Sequence, residues 1–328
     1  MRCVPIVSRL AVAAVLSAGL VSCGASADER MPPPPPPSDP ADFPDPDGKS
    51  IGELRSELPT GGPVLAPSVS VLEPGKNRFG FGLFDRARRQ IADAPAALYV
   101  APVGGGKVTG PFPVGYESLA VKPQFQSEGT LADPDAAQSV YVGEIPFEKP
   151  GDYELLGIVS LDGRLVAADN AGAPLQVAKD SGVPGVGEPA PRISTPTEAS
   201  VGGAVQEIDT RVPPSTMHEA DFADVLGKRP VVLTFATPAL CASRVCGPVV
   251  DVAEQVKSAH QDEAEFIHME IYEDNQVEKG FRPQVADFGL PTEPWAFAID
   301  REGKVAARLE GAFSVRELEQ SVEAATAG

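Results

Sequence analysis

The spacing of hydrophobic and polar positions changes along the chain. Between residues 64 and 178 apolar residues recur at every second position in short runs. Arg78-Phe79-Gly80-Phe81-Gly82-Leu83-Phe84-Asp85 alternates apolar with small or polar residues, the period of a half-buried strand. Val69 to Leu72, Ala96 to Val103, Val140 to Phe147, Tyr153 to Leu161, Leu165 to Ala168 and Leu175 to Ala178 read as further strands. Glu73 to Asn77 reads as a turn and Asp162-Gly163 as a hairpin. About seven short strands with turn punctuation predict an all-β sandwich over 64–178.

From about residue 215 the pattern becomes one of alternating strands and helices. Asp221 to Leu226 is a short helix stopped by Gly227. Pro230 to Phe235 is an almost unbroken apolar run, the mark of a strand covered on both faces. A helix then places Val249, Val252, Ala253 and Val256 on one face and Asp251, Glu254 and Lys257 on the other. Glu265 to Tyr272 alternates as a strand. Residues 275–288 are weakly helical around Pro283. Trp295 to Ile299 and Val305 to Leu309 are two more strands. Ser314 and Glu317 form a capping box for a last helix carrying Leu318 and Val322.

Composition sets the boundaries. The 328 residues include 35 prolines and 32 glycines, above ordinary usage, which predicts extended linkers. Met31 is followed by six prolines, and residues 23–63 read as a disordered tether. Residues 179–214 read as a second Pro/Gly-rich linker between the β unit and an α/β domain at 215–328. The formal charge of −19 repels phosphate backbones, so no nucleic-acid partner is expected. Asp45-Pro46-Asp47-Gly48 lacks the later ligands of a calcium loop.

The first 22 residues read as a signal peptide. Arg2 and Arg9 precede an apolar run from Leu10 to Val21, too short to span a bilayer. Leu20-Val21-Ser22-Cys23-Gly24 resembles the bacterial lipobox, which implies cleavage before Cys23 and lipidation of that residue, palmitate included. Cleavage removes two arginines and no acid, so the charge falls from −19 to −21. Acyl chains on Cys23 would anchor the body to an extracytoplasmic membrane face, where disulfides persist. Cys3 leaves with the signal, so only Cys241 and Cys246 remain in the body. A single close pair suggests a structural disulfide or a redox couple.

The 64–178 segment looks like an immunoglobulin-like β-sandwich, though without a Cys…Trp…Cys core. Residues 215–326 resemble the thioredoxin-like superfamily. A cysteine pair lies between the first buried strand and its helix, and Pro294 immediately precedes the strand Trp295–Asp300. A strand pair and a helix follow. The resemblance implies that Pro294 is cis and packs beside the sulfurs, with Pro291 as the rival. It implies thiol–disulfide exchange with protein partners and no cofactor. The whole is thus expected as two domains, a β-sandwich and a thioredoxin-like α/β fold.

Four residues separate the cysteines here, where thioredoxins have two. Residues i and i+5 of an ideal helix have Cα atoms roughly 8.7 Å apart, and a disulfide needs them within about 7 Å. Either the helix begins after one or both cysteines, or it unwinds on oxidation. Pro248 is welcome in a first helical turn, which places Cys246 at the helix N-terminus and Cys241 in the preceding loop. The superfamily makes the N-terminal cysteine the attacker, which favours Cys241 with Cys246 resolving. Cys246-Gly247-Pro248 also matches the start of thioredoxin's Cys-Gly-Pro-Cys, so the reverse assignment stays open. Arg244 either favours a thiolate or is a solvated charge.

Three other functions remain. The spacing resembles a peroxiredoxin subgroup, but Pro238 stands where those proteins carry Thr or Ser, and Pro294 where they carry Arg. Some thioredoxin-fold proteins deliver copper through two cysteines and a distant histidine, for which His218, His260 and His268 are available. The third is a binding or scaffold protein with a structural disulfide. Under the thiol–disulfide exchange reading the sandwich is expected to be a spacer or partner-docking module.

Overall fold

The computed structural model describes residues 34–170 and 174–327. The signal peptide and Cys23 lie outside them. Within the 23–63 stretch expected as a tether lies a short helix. Ser50 caps α1 (Ile51–Ser56) in a reciprocal capping box with Glu53, and Ile51 and Leu54 are buried. Together with Phe43 they cover Ala97, Tyr99 and Ala101 on the outer face of the β unit. These residues pack because the β unit presents an apolar face for them to cover.

Eight strands follow: β1 (Val64–Pro67), β2 (Gly75–Phe84), β3 (Ala96–Pro102), β4 (Thr109–Ser118), β5 (Ser139–Phe147), β6 (Gly151–Leu161), β7 (Arg164–Asn170) and β8 (Leu175–Val177). A short helix, α2 (Glu128–Ala132), lies between β4 and β5. The strands form one continuous sheet in the order β3-β4-β5-β2-β1-β7-β6-β8, and β3 also pairs with β6. The expected two-layer unit is therefore a sheet folded back on itself. β4 makes the turn, pairing with β3 through Pro113 and with β5 from Val114. Inside lie Leu65, Phe79, Phe81, Leu98, Tyr141, Ile145 and Phe147. Alternation along β3 sends Leu98 and Val100 to this core and Ala97 and Tyr99 to the face under α1.

The α/β part holds α3 (Phe222–Val225), β9 (Val231–Phe235), α4 (Cys246–His260), β10 (Glu265–Met269), α5 (Pro283–Asp287), β11 (Trp295–Ile299), β12 (Val305–Glu310) and α6 (Val315–Thr326). Its sheet runs β10-β9-β11-β12, with β9 and β10 parallel and β11 antiparallel to both its neighbours. This is the strand, helix and cysteine order that the sequence predicts. α4 and α6 pack together and against the sheet. On the other face Phe222, Val285 and Phe288 meet Leu233, Phe235, Ile267, Trp295 and Phe297.

The 179–214 stretch, expected as a linker, is packed. Val183, Ala190 and Ile193 join the α/β core. The amides of Gly187 and Ala190 donate to Val305 and Gly303, and that of Val305 donates to Glu188. These bonds cap the free edge of β12, which would otherwise present an unpaired ladder. The polar face of α4 is likewise covered, not solvated. Glu254 accepts from the Thr216 amide at 2.6 Å, Lys257 donates to the Thr216 carbonyl, and Gln255 accepts from the Lys122 amide.

The β unit and the α/β part pack closely, and everything from Pro34 clusters as one compact unit. Arg78 donates to Glu317 and to the carbonyls of Glu310 and Ala312. The Ser70 and Val71 amides donate to Glu310, and Arg308 pairs with Glu73. Arg316 and Ser314 reach Glu117. Gly311, at φ +72°, brings its Cα against the Ser68 carbonyl, leaving no room for a Cβ. Among the described residues no helix is long and apolar enough to cross a membrane.

Candidate functional site

α4 starts at Cys246, with Pro248 in its first turn. Cys241 lies in the loop before it. The two Cα atoms are 6.0 Å apart and the sulfurs are joined, inside the span a disulfide allows. The four-residue spacing is reconciled with bonding because only one cysteine belongs to the helix. Arg244, at φ +59°, makes the reversal between them, and its amide donates to the Cys241 carbonyl. Cys246 is fully buried, and Cys241 is half-buried.

The loop is held from several sides. The Ala236 amide donates to Met269 on β10. The Ala239 amide donates to Thr210 Oγ1, whose hydroxyl donates to buried Glu270. The Arg244 guanidinium bonds both Asp133 (2.8 Å) and Asp135 (2.7 Å), on the β4–β5 connection. Its charge is therefore committed to two carboxylates of the β unit. Val245 is buried with Leu119, Val140 and Ala312, and Cys241 packs on this cluster.

The Glu293–Pro294 bond is cis, and Pro294 is buried. Pro291 has no cis bond. Glu293 faces the disulfide. Its Oε2 lies 3.6 Å from Cys246 Sγ and accepts from the Thr237 amide at 3.0 Å. Burial pushes the Glu293 carboxyl up to about 8; the Thr237 amide and the His268 charge offset part of this, and Glu270 adds to it. At neutral pH it is mostly protonated, which avoids placing an anion in a poorly solvated site. The carboxyl is thus a proton-holding group beside the buried sulfur. The thioredoxin-like resemblance singles out Pro294 and gives its neighbour Glu293 no role. The available signal was an acid directly before the proline.

A second cluster lies below the loop. Asp209 Oδ2 accepts from His218 Nε2 (2.9 Å), His268 Nδ1 (3.2 Å) and the Ser215 amide (2.7 Å). Burial disfavours charge on His268, but Asp209 outweighs it and raises the imidazole to about 9. Asp209 is held well below the usual carboxylate range; burial opposes this, and the His268 charge and histidine hydrogen bonds overcome it. His268 Nε2 faces the Ala236 carbonyl at 3.0 Å, so both its ring nitrogens donate. Both ring nitrogens are thus engaged, one by a carboxylate and one by a backbone carbonyl.

Among the described residues, two groups of side chains have donor atoms close enough together to hold an ion. They are Asp209, His218 and His268, and separately Cys241, Cys246 and Glu293. The first is occupied by the hydrogen bonds above. The second contains both sulfurs and Glu293 but no histidine, so the copper geometry with a distant histidine is not assembled. His260 pairs instead with Glu263 at the end of α4.

No protein-family model matches the chain, and no curated protein matches it. Parts of it are similar to solved structures from Chlorobium tepidum. One is a candidate thiol:disulfide interchange protein DsbE, at 19% identity and TM-score 0.32, covering 44% of this chain and 99% of that one. Another is a thiol:disulfide interchange protein of the thioredoxin family from strain TLS, at 18% identity and TM-score 0.30, covering 42% and 95%. These likenesses are weak; the fold reading rests on the strand order, the cysteine position and the helix packing.

Proposed function

We propose that the chain is a thiol–disulfide oxidoreductase acting through Cys241 and Cys246, anchored to an extracytoplasmic membrane face by lipid on Cys23. The observation that carries the reading is the asymmetry of the pair: a half-buried sulfur bonded to a buried one, with a proton-holding carboxyl beside the second. A substrate can reach Cys241 and not Cys246, so Cys241 attacks.

In the reducing direction the Cys241 thiolate attacks a substrate disulfide. A mixed disulfide forms, and one substrate thiolate leaves and takes a proton from solvent. Cys246 then gives up its proton, attacks Cys241 Sγ and expels the second substrate thiolate. The protein loses two electrons and the substrate gains two. The ionised form of Glu293 is placed to receive the Cys246 proton, and the protonated form, which predominates at neutral pH, to return one in the opposite direction. Pro294 shapes the surface beside the sulfurs.

The test is turnover. The protein should reduce insulin disulfides with dithiothreitol as electron source. Cys241→Ser should abolish this, and Cys246→Ser should leave a trapped mixed disulfide. Insulin reduction no faster than with dithiothreitol alone would leave a structural staple as the reading.

A further inference from the structure

The connection between β4 and β5 runs from 119 to 138, long for a turn inside a β unit. It carries a short helix of its own, α2. The connection leaves its own sheet and lies against the cysteine loop. Its hold on α4 is built in. Asp251 of α4 accepts from the amide and hydroxyl of Ser127, the cap of α2, and from Arg211 at 2.9 Å. Arg211 also donates to the Phe125 carbonyl. The Glu128 amide donates to Val212, and that of Ala137 to Arg244. Gly247, in the first turn of α4, faces Thr130 so closely that a Cβ there would sit 2.9 Å from Oγ1.

Between this arm and the cysteine loop lies a groove of about 600 Å³. Thr130, Ala132 and Asp135 line one side, and Pro238, Cys241 and Gly247 line the other. A half-buried sulfur in the wall of a groove selects for an occupant that can present its own sulfur there while lying along the walls. An extended polypeptide does both. Charge narrows the choice further. Asp133 and Asp135 outnumber Arg244, and the chain carries −19 overall. Basic residues beside the substrate cysteine are favoured and acidic ones repelled.

We propose that the 127–136 arm of the β unit is the second wall of the redox site, gripping an extended cysteine-containing segment with basic flanks while its disulfide is exchanged at Cys241. This rests on the redox reading above and changes the role of the β unit. It becomes a substrate-selecting part of the site, where a spacer or partner-docking module was expected.

The test does not require turnover. Full-length Cys246→Ser is linked at Cys241 through a mixed disulfide to synthetic ten-residue peptides. Each has one cysteine, flanked by lysines or by aspartates. Hydrogen exchange of amides 129–136 should slow at least fivefold with the lysine peptide and less with the aspartate one. Unchanged exchange in 129–136 overturns the proposal. So does equal protection by both peptides. Ala132→Trp in the same background fills the groove. It should lower the rate of linkage to a polypeptide disulfide at least tenfold relative to hydroxyethyl disulfide. An unchanged ratio overturns the proposal. Failure of the redox reading shows separately, as absent insulin turnover by the unmodified chain.

Discussion

Glu293→Gln isolates the chemistry next to the buried sulfur. Gln keeps the side-chain shape and an oxygen to accept the Thr237 amide, but cannot ionise. In the folded protein Glu293 titrates at about 8, because burial disfavours its anion, against an ordinary 4.5. The folded state therefore binds this proton more tightly than the unfolded chain does. The stability this contributes is complete below about pH 4.5 and is lost as pH rises through about 8. Linkage over that interval sets a ceiling of about 4.8 kcal/mol. Glu293 is half-buried and reached by solvent, so about 2 kcal/mol is the working expectation. Denaturant unfolding of the oxidised proteins at intervals from pH 4.5 to 9 measures it. The variant should match the parent near pH 4.5 and exceed it by about 2 kcal/mol at pH 9. A difference that stays constant across this range would refute the reasoning, since Glu293 would then carry the same charge throughout.

Three further outcomes follow from packing. Arg211→Ala strands the fully buried Asp251 carboxylate, and should cost about 3–5 kcal/mol in denaturant unfolding. It should also raise proteolytic cleavage within 119–138. Leu54→Ala uncovers the outer face of β3 and should cost about 2–5 kcal/mol; a cost below about 0.5 kcal/mol would make the 34–63 stretch the tether the composition suggests. Gly311→Ala forces a methyl into the Ser68 carbonyl at a positive φ. It should lower the thermal midpoint by several degrees, from a cost of about 1–3 kcal/mol.

What the sequence made legible was periodic. The order of strands and helices after 215, the helix start near Cys246 and the capping box at Ser314 follow from apolar spacing and cap chemistry. What it hid was contact between distant segments. Proline content made 23–63 read as a tether, yet Ser50 with Glu53, followed by Ile51, Leu54 and Leu58, is a legible helix start with an apolar stripe. Residues 179–214 have no period because they pair with a strand edge and pack through single side chains. Nothing in the sequence around Asp251 shows what covers its face of α4, because its partners, Ser127 and Arg211, are 124 and 40 residues away. The arm over the cysteine loop carried only a cap residue and two aspartates as signal.

Everything proposed about function depends on the Cys241–Cys246 bond opening and closing under biological conditions. Equilibrating the purified protein with defined dithiothreitol and glutathione ratios, with the fraction of free thiols read by alkylation and mass, gives its reduction potential. The account predicts a value between about −120 and −270 mV, the range of working thiol–disulfide exchangers. A value below about −300 mV, with sulfurs that stay joined in the glutathione buffer, would contradict it.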